Sequence, residues 1–344
     1  MRKEVLAVGC ALMVFCGCGK NNAAQHYESG WAAMEKKDYT TAVNEFQQVI
    51  DQNSRLAESY RAEGIAYYSE KAYPEAIAAF SRSLNNMDDP DKEFKKDVQF
   101  YLAQARMDYG EVEKAIEVYS EILKAGEDEQ AFFLRGKAYI SMEDYKNAEK
   151  DFQRALEGCE DYNLYINIYQ IYVDHNKAVD GDAYLKMALE LEPQDGEDCY
   201  HRGRIYEYEK NYEAARDELK TAMEQGYEDA MLLLGRVYLE MEDPASARSM
   251  YQEYLQKSEQ GAKAYNGLAM CDIYDGAYDS ALENIAQGLK ENSKEDEQGL
   301  LYNEIVAYEY KRDFATAKEK MKIYLEQYPE DEAALRENEF LSTR

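Results

Sequence analysis

Three sets of residues in this chain of 344 have the types and spacing to do chemistry: the histidines, the cysteines, and a spaced run of cations among aromatics. His26, His175 and His201 lie far apart, and no HExxH, CxxC, GxSxG or phosphate-binding glycine loop accompanies them. The 69 Asp and Glu residues follow helix-surface spacing, so chance carboxylate pairs are unavoidable and none marks a catalytic dyad. The expectation is a chain with no catalytic residue, no metal ligand set and no cofactor. The third set is more informative. Lys137, Gln170, Arg204 and Arg236 follow one another at intervals of about 33 residues, and Phe133 and Tyr200 each stand four residues ahead of a cation. Arg offers a planar fork to carboxylates and aromatic rings offer flat apolar contact, a combination suited to peptide segments with acidic or C-terminal groups. The alternative is that these cations pair with neighbouring Asp and Glu and hold the fold together.

Overall charge restricts the partners. With 40 Lys and Arg against the 69 acids, the formal net charge is -29. Phosphate backbones and anionic headgroups bind chiefly through Lys and Arg, so nucleic acid is excluded as a partner and the acidic body is a poor match for an anionic bilayer surface.

The N-terminus has the order of an export signal, with Arg2 and Lys3 followed by an apolar run from Val5 to Cys16. Such a run forms a helix of about 18 Å, against the roughly 30 Å that a membrane-crossing helix must span. It ends in Phe15-Cys16-Gly17-Cys18, which resembles the lipobox of bacterial lipoproteins, with Phe15 and Cys16 as mild departures from its usual residues. The resemblance implies cleavage after residue 17, lipidation of Cys18, a short tether over residues 18–22 and a location on the extracytoplasmic side of a cell membrane. Cys159, Cys199 and Cys271 remain after the signal. An odd set, well separated, does not form a disulfide framework and reads as small apolar core residues.

The elements that must position these groups show in a period of about 34 residues. A small residue followed four later by a large apolar one recurs nine times: Ala42 and Phe46, Ala76 and Phe80, Ala115 and Tyr119, Ala148 and Phe152, Gly181 and Leu185, Ala215 and Leu219, Ala247 and Tyr251, Ala281 and Ile285, Ala317 and Met321. Three residues before most of the small ones stands an aromatic: Tyr39, Tyr73, Tyr145, Tyr212, Tyr278 or Phe314. Twelve residues before, Gly30, Gly64, Gly136, Gly203 and Gly235 recur, with Ala103, Ala269 and Ile305 in their place elsewhere. Steps of three and four place these positions on one stripe of each of two helices joined by a short turn. Each period is therefore a helical hairpin that buries its stripe only by stacking on its neighbours.

This pattern resembles the tetratricopeptide repeat family, and residues 129–162 match it well through Arg135-Gly136, Tyr139, Ala148, Phe152 and Ala155. The resemblance implies an all-α, right-handed solenoid of about nine hairpins over residues 23–331, starting near 23, 57, 96, 129, 162, 196, 228, 262 and 298. Residues 332–344 then form a capping helix and tail, and the surplus at 88–91 forms a surface loop. It also implies a concave groove lined by the first helix of each repeat. Phe100, Phe133, Lys137, Gln170, Tyr200, Arg204 and Arg236 are the candidate contacts there, for a protein or peptide partner. A lipoprotein capturing a glycan or other nutrient on its aromatic residues is the second reading.

Overall fold

The computed structural model describes residues 22–87, 91–258 and 260–344, so the signal segment, Cys18 and most of the 88–91 loop lie outside the described residues. The described residues form nineteen α-helices and no strand. In order these are α1 (Asn22–Glu35), α2 (Tyr39–Asp51), α3 (Leu56–Ser69), α4 (Tyr73–Asn85), α5 (Lys92–Tyr109), α6 (Val112–Ala125), α7 (Glu129–Ser141), α8 (Tyr145–Ala155), α9 (Tyr162–Asp174) and α10 (Ala178–Leu189). There follow α11 (Gly196–Tyr208), α12 (Tyr212–Glu224), α13 (Ala230–Glu240), α14 (Pro244–Lys257), α15 (Ala262–Tyr274), α16 (Tyr278–Lys290), α17 (Glu297–Tyr310), α18 (Phe314–Gln327) and α19 (Glu332–Ser342). They divide into two compact units, one ending at Asp182 and the other running from Ala183 to Arg344. Within each unit, helices pack chiefly on their neighbours in sequence, and α1 with α3, α3 with α5, α7 with α9, α11 with α13, α13 with α15 and α15 with α17 also touch.

The turn inside each hairpin is built one way throughout. A residue in the left-handed region precedes the second helix: Lys37, Lys71, Gly110, Glu143, Asn176, Lys210, Glu242, Gly276 and Arg312. In five of these turns the next residue caps the helix, with the side chains of Asp38, Asp144, Asn211, Asp243 and Asp313 accepting a backbone N–H from three residues on. In four of the five the residue after the cap is the aromatic at the head of the second helix, Tyr39, Tyr145, Tyr212 or Phe314, which is thereby fixed in register.

Packing between the two helices of a hairpin turns on a single pair sixteen residues apart. Gly30, Gly64 and Gly136 lie flat on the rings of Phe46, Phe80 and Phe152, so close that an added Cβ would sit 2.5, 2.6 and 2.7 Å from ring carbons. Gly203 stands in the same way against Leu219, and Gly235 against Tyr251. The rings of Phe46, Phe80 and Phe152 are fully buried, as are Ala42, Ala76 and Ala148 one turn before them. The fifth period inverts the arrangement. Tyr169 occupies the glycine position on α9, and Gly181 on α10 makes room for it, since a Cβ there would meet Tyr172 Cβ at 2.9 Å and the Tyr169 ring at 3.1 Å.

One sequence expectation needs adjustment. Cys199 and Cys271 are buried, but Cys159 is only half-buried, in the loop after α8, because the chain has already left the helix that would have carried it inward. α19 packs on α18 through Ala334 and Leu341, both fully buried.

Beneath α19 lies an acidic contact. Glu309 Oε1 on α17 is buried with no hydrogen-bond donor in reach. Burial first, and the neighbouring Glu337 carboxyl of α19 second, push the Glu309 carboxyl up from its ordinary 4.5 to about 7.

Gly136→Val drives a branched side chain into the Phe152 ring and should lower stability by about 2 kcal/mol or more, as overpacking of a tight core does. Gly126→Val is the control, since Gly126 has open space around it and extended backbone. Denaturant midpoints of the two variants should differ clearly.

The folded-state value of Glu309 is raised, so the unfolded chain releases that proton first. The stabilising protonation is complete below the ordinary value and is lost as pH rises through about 7. The melting temperature should therefore fall between about pH 5 and pH 8, and Glu309→Gln should make that fall shallower. Parallel melting curves for the two proteins would refute this account of the contact.

Candidate binding cleft

The odd-numbered helices of the second unit leave a cleft of about 1050 Å³. Its floor and walls come from Tyr200 on α11, Leu232, Arg236 and Glu240 on α13, Lys263, Asn266 and Met270 on α15, and Gly299 and Asn303 on α17. Tyr251 and Tyr254 reach it from α14, and Glu291, Ser293, Glu295 and Asp296 close one end from the connection between α16 and α17.

Glycines again set the geometry. The Tyr251 ring is held between α13 and α15 because neither Gly235 nor Gly267 carries a Cβ; one would sit 2.6 Å from the ring at Gly235 and 2.3 Å at Gly267. Burial keeps the Tyr251 hydroxyl protonated far above the ordinary phenol range. On α11, Tyr200 packs on Tyr227 with ring centroids 4.9 Å apart. Burial raises the Tyr200 hydroxyl despite the opposing fields of Arg204 and Arg236. Farther along, Asn303 Nδ2 donates to Asn266 Oδ1 at 2.8 Å, an amide pair that joins α15 to α17 at the cleft surface.

The cations named from sequence fall in different surroundings. Arg236 is a double ion pair: its Nε lies 2.5 Å from Glu207 Oε1, and its Nη2 donates to Oε2 at 2.7 Å. This ties α13 to α11, so for Arg236 the geometry is that of a structural pairing between repeats. Arg204 lies against His201, with 3.3 Å between Nη1 and Nδ1, and its guanidinium carbon is 5.9 Å from the Tyr200 ring centre. Lys137, on α7 in the first unit, is exposed.

The remaining candidates also belong to the first unit. Phe100 packs on Tyr119 at 6.3 Å and Phe133 on Phe152 at 6.1 Å, each half-buried against the second helix of its own hairpin. Gln170 donates to Asp174 one turn on. The first unit thus holds Phe100, Phe133, Lys137 and Gln170, while the second brings together Tyr200, Arg204 and Arg236. Sequence reading missed Tyr254, Asn303 and the 291–296 connection. One signal for the connection was present, because Ala317 follows Ala281 by two residues more than the mean period.

Comparison with known proteins agrees with the hairpin geometry. One tetratricopeptide repeat model matches residues 27–91, 200–262 and 232–297, and another matches residues 129–161. No curated protein gives a significant match. Among solved structures, YrrB, described as a TPR protein with an unusual peptide-binding site, is 26% identical over 55% of this chain and 97% of its own, with a TM-score of 0.36. A tetratricopeptide repeat protein from Parabacteroides merdae is 16% identical over 83% of this chain and 99% of its own, at a TM-score of 0.45. Yeast Tom70 is 14% identical over 88% of this chain and 84% of its own, at 0.47. The repeat matches fall on the hairpins in which a small residue of the first helix faces a buried large one of the second, and on that basis the chain belongs to the tetratricopeptide repeat family.

Proposed function

We propose that this protein is a non-catalytic scaffold that holds a protein or peptide segment, tethered to the outer face of a bacterial membrane by lipid on Cys18. The observation that carries the binding role is the cleft of the second unit, whose surface mixes apolar side chains with an unsaturated amide pair. Leu232, Tyr254 and Met270 offer apolar contact, while Asn266 and Asn303 offer a donor and an acceptor beyond the bond they share. An extended chain needs both, because its backbone presents N–H and C=O groups in turn. Rigid helices that present a preformed surface keep the ordering cost of binding low.

The tether rests on sequence. Gly17-Cys18 closes an apolar run too short to cross a bilayer, and Gly19 to Asn22 span at most about 14 Å, which sets the repeats close to the membrane. No helix among the described residues is long and apolar enough to cross a membrane. Several acyl chains on one N-terminal cysteine provide firm anchorage where a single chain would not.

A photo-crosslinking residue placed at Met270 should capture a discrete partner in cells, while one at Glu283 on the outer helix α16 should not. Equal labelling from both positions, or none from Met270, would count against the cleft. Independently, radiolabelled palmitate should enter the wild-type protein and not Cys18→Ala, with the variant released from membranes by a simple wash.

A further inference from the structure

The charges around the cleft point to the chemistry of its occupant. Five carboxylates line it, those of Asp229, Glu240, Glu291, Glu295 and Asp296, against the two cations Arg236 and Lys263. Both cations already face acids. Arg236 is bound through two nitrogens to Glu207, and Lys263 lies 3.6 Å from Glu295 and 3.9 Å from Asp296. An incoming carboxylate would have to displace these partners and would meet the remaining acids unscreened, whereas an incoming cation meets several carboxylates at once.

We infer that the cleft takes an extended partner segment in which Lys or Arg side chains alternate with apolar ones. The inference rests on the binding role proposed above and deepens it. The sign is opposite to the carboxylate-bearing segment that the Lys137, Arg204 and Arg236 series suggests in sequence, because pairing with Glu207 removes Arg236 from that role. Alternation follows from the lining. An extended chain turns successive side chains to opposite sides, so apolar residues meet Leu232, Tyr254 and Met270 while cations reach the acids at the rim. Four helices spaced about 9 Å apart give a path of about 27 Å, enough for about eight residues.

The test uses two fluorescent peptides of that length, one of Lys, Leu and Gly and one with Glu in place of Lys, read by anisotropy against the folded protein. The Lys peptide should bind the tighter of the two. Glu291→Gln with Glu295→Gln should weaken it by about three- to tenfold, as loss of rim charges does. Glu213→Gln with Glu283→Gln, which removes the same charge from the outer helices α12 and α16, should leave it unchanged. That control separates the cleft from the general attraction of an acidic protein for a polycation. If the Glu peptide binds better, or both double variants weaken the Lys peptide equally, the inference falls while the binding role stands. If neither peptide binds and crosslinking from Met270 also yields nothing, both fall.

Discussion

The structure depends on how closely the two helices of a hairpin approach. Where the first helix carries glycine, its backbone rests directly on a ring or on Leu219, and the large side chain is sealed by the alanine one turn before it. That contact brings the apolar stripes of both helices into register, and the stripes then stack from hairpin to hairpin. Where alanine replaces glycine, at Ala103 and Ala269, the facing residues Tyr119 and Ile285 remain buried in the same clusters. Where the position is Ile305, the facing residue is Met321, and both are fully buried in one cluster, as suits an unbranched side chain that fills irregular space.

Electrostatics works against this packing and is managed locally. With 69 acids and 40 bases, most Arg side chains that point inward meet a carboxylate. Arg135 holds Asp151 through two nitrogens and also reaches Ser120, Arg202 holds Glu218, and Arg248 bridges Asp272 and Asp275. Each pair joins one helix to the next. Cations are consumed in this role, and the surfaces left over, the cleft among them, carry the surplus of carboxylates.

The core was legible in the sequence because its period is covalent: a small residue and a large one four apart must share a helical face wherever they occur. All nine large residues that the recurrence names, from Phe46 to Met321, are buried. The turns were legible in outline only, since nothing in the residue types Lys37, Glu143 or Arg312 signals the left-handed backbone they adopt. The site was legible in part. Tyr200 and Arg236 could be placed on the correct face by counting, but the pairing of Arg236 with Glu207 joins residues 29 apart, and no local pattern announces it. Tyr254 and Asn303 enter the cleft from positions to which the period gives no role, and the 291–296 connection lies between periods.

The exchange of Tyr169 and Gly181 limits how these repeats can be shuffled. Tandem repeats lengthen and shorten by recombination, and a crossover in the turn inside most hairpins here would join a glycine-bearing half to an alanine-bearing half and preserve the fit. A crossover in the fifth would join Tyr169 to an alanine in place of Gly181, forcing a clash, while the reciprocal product would leave Gly181 without the ring it accommodates. The two halves of that repeat can be inherited or transplanted only together, so a designer who treats the nine as interchangeable parts should cut on either side of it and never within.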